Sequence, residues 1–290
     1  MLSYRHAFHA GNHADVLKHF LLVQLTRYLC QKDKPFWYID THAGAGLYAL
    51  DTGYATKLAE YEKGIGRLWP RDDLPAALGE YVALVRSINP AGKLQTYPGS
   101  PWLAYQTLRP QDRLCLFELH SRDSELLQEN FHAAGTRVAI QATDGFAGIR
   151  ALLPPGPRRA LVLIDPAYED KRDYRQVART LEEGLKRFAT GIYAVWYPLL
   201  PQKQGRLLVQ RNESRQLPDK LKELGGKDWL HVQLMVSKPT DDAFGMYGSG
   251  MFILNPPWLL HDLLKQVMPY LVQVLGQDAG AGYLIEQSSK

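Results

Sequence analysis

The segment Asp165-Pro166-Ala167-Tyr168 combines groups that could hold a planar amine. It follows five apolar residues, 160–164, which are typical of a central parallel strand covered on both faces. Ligands of open α/β sheets bind outside the carboxyl ends of such strands. There the Asp165 carboxylate and the Pro166 carbonyl could accept the two hydrogens of an amine, while the Tyr168 ring stacks on a flat heterocycle. This arrangement favours chemistry at an exocyclic amine such as that of adenine.

The amine chemistry explains why two acceptors would be needed. The amino nitrogen of adenine shares its lone pair with the ring, so it is a poor nucleophile until that overlap is reduced. Two acceptors favour a pyramidal nitrogen and stabilise the positive charge that builds on it in the transition state. A structural interpretation stays open beside this one, because Asp165 could cap a following helix with Pro166 in its first turn.

A second predicted strand, ending at Asp40, leads into a loop of small residues. Gly44 and Gly46 would let a ligand approach the backbone closely, and Ala49 loosely completes a dinucleotide-binding pattern. The next acid at a strand end is Glu118, far beyond the roughly 20 residues expected in that pattern. An insertion must therefore separate the two strands.

The insertion is predicted to be helical and to cover residues 47–97. Within the insertion, Asp72–Pro75 is a helix-start signal, and Ile88–Gly92 is a helix-stop signal followed by a turn. Apolar residues recur in it at helical spacing: Tyr61, Ile65, Leu68, Trp69, Leu78, Val82 and Val85. We expect residues 1–46 and 98–290 to form the main domain.

Acids recur at the ends of predicted strands in the main domain. Asp40, Glu118, Asp144 and Asp165 together outline a cofactor crevice, although Asp144 alone also fits an ordinary turn. Ser100, followed by a proline, predicts a helix cap whose neighbouring amides could face a carboxylate.

The rest of the chain completes an α/β pattern. Strands are predicted over 191–198, 230–236 and 250–255, and helices over 173–187 and 257–275. We expect a mostly parallel sheet with helices on both faces, the last two strands forming an antiparallel hairpin.

The residues 165–168 resemble the active-site signature of the S-adenosylmethionine-dependent adenine-N6 methyltransferases, an acid or amide followed by Pro-Pro-Tyr. Ala167 replaces the second proline, which we expect to affect loop stiffness more than chemistry. The chain resembles the RlmJ family still more closely, over essentially its whole length, beginning with the specific opening MLSYRHAFHAGNHADVLKH of residues 1–19. That family methylates an adenine in 23S ribosomal RNA.

The resemblance implies a Rossmann-like class I methyltransferase fold with a small helical insertion, S-adenosylmethionine as cofactor and 23S ribosomal RNA as partner. It places catalysis at Asp165, Pro166 and Tyr168, and the RNA at Tyr4 and Lys18. Glu118 would hold the cofactor ribose and Asp144 the cofactor adenine. The full implied cofactor site is His19, His42, Ser100, Glu118, Asp144, Gly145 and Asp165.

Other functions remain open on the sequence. The same turn would suit an adenine in DNA or a glutamine amide in a protein, and a site altered at Ala167 could belong to an RNA-binding module without turnover. A base in a stacked helix cannot be reached, so the target adenine must be flipped out or unpaired.

Charge and composition set the outer bounds. The 290 residues carry a net charge of +4, which suits a polyanionic partner. Arg172, Arg175 and Arg179 would share one helix face beside the catalytic turn and suit phosphate contacts, although a solvated face balanced by nearby glutamates explains them equally well.

Metal, membrane and export functions are not indicated. His9 and His13 are four residues apart, but no set of acids and histidines with metal-ligand spacing accompanies them. Cys30 and Cys115 form no paired motif, which fits a reduced cytoplasmic protein. No segment resembles a signal peptide or a membrane span, and we expect a monomer.

Overall fold

The sequence places its most apolar strand at the middle of the sheet. A computed structural model describes residues 5–51, 55–201, 208–225, 228–239 and 245–288. In it the five residues Ala160–Ile164 are all buried, and they pair in parallel with a strand on each side. Both faces of this strand are therefore covered, as its uninterrupted apolar run predicts.

The described strands are β1 Trp37–Asp40, β2 Leu47–Ala49, β3 Thr96–Pro98, β4 Arg113–Phe117, β5 Val138–Gln141, β6 Ala160–Ile164, β7 Ile192–Leu199, β8 Trp229–Met235, β9 Gly248–Leu254 and β10 Gly282–Gln287. The described α-helices are α1 His13–Cys30, α2 Ala55–Leu58, α3 Ile65–Leu68, α4 Ala76–Ser87, α5 Ser100–Thr107, α6 Ser121–Asn130, α7 Gly145–Leu152, α8 Arg172–Arg187, α9 Leu208–Gly225 and α10 Leu260–Leu275. Short 3-10 turns cover His6–Phe8, Glu60–Lys63 and Gly135–Arg137.

The main sheet has the order β10-β8-β9-β7-β6-β1-β4-β5. The strands β5, β4, β1, β6 and β7 run parallel, and β9, β8 and β10 add antiparallel pairs at one side. Among the five parallel strands, chain order runs outward in both directions from the neighbours β1 and β6. The carboxyl ends of these two strands therefore form the switch point where α/β sheets bind ligands.

The mostly parallel α/β architecture is confirmed, as is the antiparallel hairpin of β8 and β9. Helices α1, α4, α5 and α10 contact one another or their neighbouring strands in one group, and α7, α8 and α9 in another. No helix in the described ranges is both long and apolar enough to cross a membrane.

The helix α1 is an element that the sequence interpretation missed. Asn12 caps it by accepting from Ala14 N and Asp15 N. Fourteen of its 18 residues are buried, so it is a core helix without a polar face, and its side chains show little amphipathic periodicity. The four histidines in and just before this helix, His6, His9, His13 and His19, make its apolar pattern still harder to recognise in the sequence.

The insertion contains the predicted helical segments, and its apolar residues Ile65, Leu68, Leu78, Val82 and Val85 are buried. It is joined to the sheet through the two-stranded ribbon of β2 and β3. The strands β2, β3 and β10 were not predicted from the sequence. Whether the insertion is a separate domain stays a prediction.

Candidate active site

A cavity of about 1540 Å³ opens at the carboxyl edge of the parallel strands. Pockets for one drug-sized ligand measure roughly 300–1,000 Å³, so this cavity has room for two ligands side by side. Tyr4, predicted to contact RNA, lies outside the described residues. All the other residues predicted for the site line the cavity: Lys18, His19, His42, Ser100, Glu118, Asp144, Gly145, Asp165, Pro166 and Tyr168.

Asp165 directly follows β6 and is held by a lysine of α1. Lys18 Nζ donates to Asp165 Oδ2 at 2.5 Å and lies 2.9 Å from Asp15 Oδ1. The capping interpretation of the turn is wrong, because α8 begins only at Arg172, and its cap residue is Lys171. The catalytic interpretation of Asp165 therefore meets no competing structural role at a helix start.

The ammonium of Lys18 is fixed by its surroundings. Burial alone would lower the pKa of Lys18, but the carboxylates of Asp15 and Asp165 outweigh it and hold that pKa well above its usual range. Its side chain is 6% exposed. Lys18 therefore lines the cavity with its charge engaged by two carboxylates, and its contact with RNA stays a prediction.

Asp15 fixes the position of Lys18. Its Oδ2 accepts hydrogen bonds from Gly11 N and His6 Nε2, each at 2.9 Å. Burial alone would raise the pKa of Asp15, but His6 and Lys18 outweigh it and bring that pKa well below its usual range. The sequence interpretation missed Asp15 and His6, because their roles depend on where α1 packs.

Tyr168 ends the turn that begins at Asp165, in a conformation that is unusual for a bulky residue. Its φ is +53°, in a region where side chains other than glycine are strained by about 1–3 kcal/mol. The phenol donates to the Trp196 carbonyl at 2.6 Å, and the ring packs 4.5 Å from that of Tyr174. Tyr168 is only 7% exposed, so its ring forms part of the cavity wall and does not project freely.

Trp196, another residue not predicted from the sequence, extends that wall. It is 8% exposed, lines the cavity, and has the Lys18 ammonium 5.6 Å from the centre of its ring. Its buried Nε1 has no hydrogen-bond partner among the described residues. A buried strand residue gives no sequence signal that distinguishes such a role from core packing.

The loop after β1 is shaped by glycines and braced by Glu118. Gly44 and Gly46 have φ of +61° and +82°, which strongly favours glycine. Gly44 N donates to Glu118 Oε2 at 2.8 Å, and His120 N donates to Oε1 at 2.7 Å. Burial raises the pKa of Glu118. This carboxylate lines the cavity.

Asp40 does not face the cavity, in contrast to the other three acids. It is fully buried and accepts from Ser100 Oγ at 2.7 Å and from Tyr38 OH at 2.6 Å. The prediction of Ser100 as a helix cap is wrong, because Gly99 is the cap and the Ser100 hydroxyl is used by Asp40. Asp40 therefore ties β1 to the start of α5.

Asp144 and Gly145 begin α7. Asp144 Oδ1 accepts from Phe146 N at 2.8 Å as the helix cap, and its exposed side chain also lines the cavity. A Cβ on Gly145 would lie 2.0 Å from the Thr41 carbonyl oxygen. Gly145 is thus required by close packing against the β1 loop, which the cofactor interpretation alone would not explain.

Two predicted histidines are neutral, and of these His19 is fully buried and His42 is partly exposed. Burial lowers the pKa of His19 to about 3, and its Nδ1 hydrogen-bonds to Tyr97 OH at 2.7 Å. Burial also lowers the pKa of His42 to about 3, and its ring meets Phe146 edge-on. Their ring nitrogens can form hydrogen bonds, but the rings carry no positive charge at neutral pH.

The histidines near the chain start are engaged by acids. His6 contacts Asp15, and His9 Nδ1 lies 3.0 Å from Glu60 Oε1. In the described part of the chain no group of three or more histidine, cysteine or acidic residues could hold a metal ion. That the protein works without a metal stays a prediction.

The comparisons with known proteins agree with this geometry. Residues 33–285 match the family model described as ribosomal RNA large subunit methyltransferase D, RlmJ. The chain is 47% identical over 283 residues to the ribosomal RNA large subunit methyltransferase J of Escherichia coli, which covers 98% of this chain and 97% of the relative. It is 44% identical over 287 residues to the Haemophilus influenzae protein of the same name, which covers 99% and 98%.

A solved structure has the same fold. A Legionella pneumophila protein superposes with a TM-score of 0.87 at 36% identity, covering 97% of this chain and 99% of that one. The family match extends over most of the chain and includes the β1 loop, Glu118 and the Asp165 turn. The chain therefore belongs to the RlmJ family of ribosomal RNA large subunit methyltransferases.

Proposed function

We propose that this protein transfers a methyl group from S-adenosylmethionine to the N6 amine of an adenine in 23S ribosomal RNA. The observation that carries the proposal is the turn after β6, where the Asp165 carboxylate stands at the cavity beside the Pro166 carbonyl and the Tyr168 ring. Membership of a methyltransferase family supports the reaction type, and the relatives' names support ribosomal RNA as the substrate.

The residues present fit the methyl donor. S-adenosylmethionine supplies an electrophilic methyl group on its sulfonium sulfur when bound. Glu118 offers carboxylate oxygens for ribose hydroxyls, and the exposed Asp144 can accept from an adenine amine. The left-handed Gly44 leaves a bare backbone at the cavity, where a Cβ would lie 2.1 Å from the Tyr48 hydroxyl.

The Asp165 turn would bind and orient the substrate amine. The carboxylate and the Pro166 carbonyl accept one hydrogen each, which favours a pyramidal nitrogen and stabilises its growing positive charge. Asp15 holds the Lys18 ammonium in place, and that ammonium binds Asp165. The Asp165 carboxylate is therefore held in position before the substrate arrives. The buried Tyr168 ring would support the base against the wall of the cavity.

The test is methyl transfer by the wild-type protein and Asp165→Asn. Labelled S-adenosylmethionine is incubated with deproteinised 23S RNA, with double-stranded DNA and with a glutamine-containing peptide, and the modified nucleoside is identified. We expect N6-methyladenosine from the RNA alone. The variant should lose about 100-fold or more in kcat, the scale seen when one preorganised charge-stabilising group is removed, while cofactor binding and thermal stability are kept.

The alternatives give distinct outcomes. Label in DNA or in the peptide would move the substrate to those classes. Cofactor and RNA binding with no label in any acceptor would indicate a binding module, and full activity of Asp165→Asn would remove Asp165 from catalysis.

A further inference from the structure

The cations that line the cavity differ in whether a carboxylate already engages them. Lys18 is held by Asp15 and Asp165, and Arg172 Nη2 lies 2.5 Å from Asp170 Oδ2. The cavity-lining cations that have no ion pair within 4.0 Å among the described residues are Lys63, Lys171 and Arg175. Two of them, Lys171 and Arg175, follow the catalytic turn directly in the chain.

The predicted basic face of α8 is therefore not uniform. Arg179 pairs with Glu183 at 3.2 Å, and Lys186 pairs with Glu182 at 2.7 Å, so the balancing glutamates serve the distal part of the helix. Arg175 is exposed, sits one turn into the helix and faces the cavity. The solvated-face interpretation thus fits the distal cations, whereas Arg175 has no ion pair within 4.0 Å in the described part of the chain.

The start of α6 forms a more acidic part of the cavity wall. This helix begins next to Glu118 and carries Asp123, which lines the cavity, as well as Glu125 and Glu129, while its arginine, Arg122, pairs with Glu125 at 3.1 Å. A polyanion would therefore be repelled less at the start of α8, where three cations offset the three acids of residues 169–175, than beside α6.

We propose that Lys171 and Arg175 form a phosphate-binding subsite that holds the RNA backbone next to the adenosine in the active site. The inference rests on the proposed function and deepens it, because it says which side of the cavity the nucleic-acid strand crosses. Guanidinium groups bind phosphate oxygens in a bidentate manner, and an ammonium adds a compact second charge. Three acids of this segment also line the cavity: Glu169, Asp170 and Asp173. Of these, Asp170 is engaged by Arg172.

The test compares Arg175→Gln and Lys171→Gln with Arg187→Gln. Arg187 is an exposed cation at the far end of the same helix and does not line the cavity, so it controls for the loss of one charge. Binding of a deproteinised 23S RNA transcript is measured by fluorescence anisotropy over a range of salt concentrations. Steady-state methylation and cofactor binding are measured on the same samples.

We expect each subsite variant to flatten the slope of log K against log salt by about 0.7–0.9, the value for one lost phosphate contact. KM for RNA should rise with kcat unchanged, because the contact acts equally in ground and transition states. Cofactor affinity and the Arg187→Gln control should match the wild type.

Three results would overturn the subsite. The slope could stay at the wild-type value, Arg187→Gln could flatten it equally, or kcat could fall with RNA affinity unchanged, which would mean that these cations support the turn instead. Failure of the proposed function looks different: the wild type would bind RNA without methylating it, and the salt series would still report on Lys171 and Arg175.

Discussion

Tyr168 shows how a single hydrogen bond can maintain a strained turn. Its left-handed backbone is kept by the bond from its phenol to the Trp196 carbonyl and by packing on Tyr174. Tyr168→Phe removes the bond and keeps the ring, so we expect about 1 kcal/mol less free energy of unfolding. Methylation should be reduced less than by Tyr168→Ala, which also removes the wall of the cavity. Urea denaturation and initial rates measure both effects, and an unchanged stability of Tyr168→Phe would contradict this account.

At this scale the sequence predicted which residues line the cavity better than it predicted their contacts. Asp165 and Tyr168 stand out because an acid, a proline and an aromatic residue follow an apolar strand. The ion pair of Lys18 with Asp165 joins residues 147 positions apart, and Asp15 and Trp196 act only through that packing. Nothing local in the chain specifies such contacts.

Among the elements, strands bounded by acids or glycines were predicted closely. The interpretation missed β10, because its residues alternate only weakly between buried and exposed positions and it is held in the sheet by pairing with β8. It missed α1 because a helix buried on all sides loses the periodic pattern that identifies surface helices.

The contact between the insertion and the start of α1 gives a prediction at the element scale. Ile65 N donates to the Gly11 carbonyl at 2.8 Å, and a Cβ on Gly64 would lie only 2.1 Å from that oxygen. We expect Gly64→Ala to force the insertion away from α1, which lowers the melting temperature and, by displacing Asp15 and Lys18, the methylation rate.

The matched control is Gly79→Ala, inside α4. A Cβ there would meet only Leu74 at 3.9 Å, so alanine should stabilise this helix by about 0.5–1 kcal/mol. If Gly64→Ala behaved like Gly79→Ala in melting and in activity, the insertion would not brace the site.

For the whole molecule, the buried histidines predict a loss of stability in mild acid. The pKa values of His19 and His42 fall to about 3, and that of His13 to about 4, chiefly through burial. In the unfolded chain they would titrate near 6.5. Between these values the unfolded state binds more protons, so the free energy of unfolding must decrease as the pH falls below 6.5.

Each such histidine can contribute up to about 1.4 kcal/mol per pH unit in that window. Denaturant melts at pH 7, 6 and 5 should show the decline, and His19→Gln should make it shallower. A stability that stays level from pH 7 to pH 5 would show that these rings gain protons without unfolding.

The expected monomeric state stays a prediction, which light scattering can test.

The bond between Lys18 and Asp165 also bears on how the protein is made. Closing a chain segment of this length costs roughly 2 kcal/mol more entropy than closing a 15-residue loop, so the contact forms only when the intervening packing repays it. During synthesis α1 emerges before β6, and more than a hundred further residues must follow before Lys18 can meet Asp165. The proposed catalytic centre is thus completed only after β6 has been made, so a chain truncated before Asp165 would lack it even with an intact glycine loop.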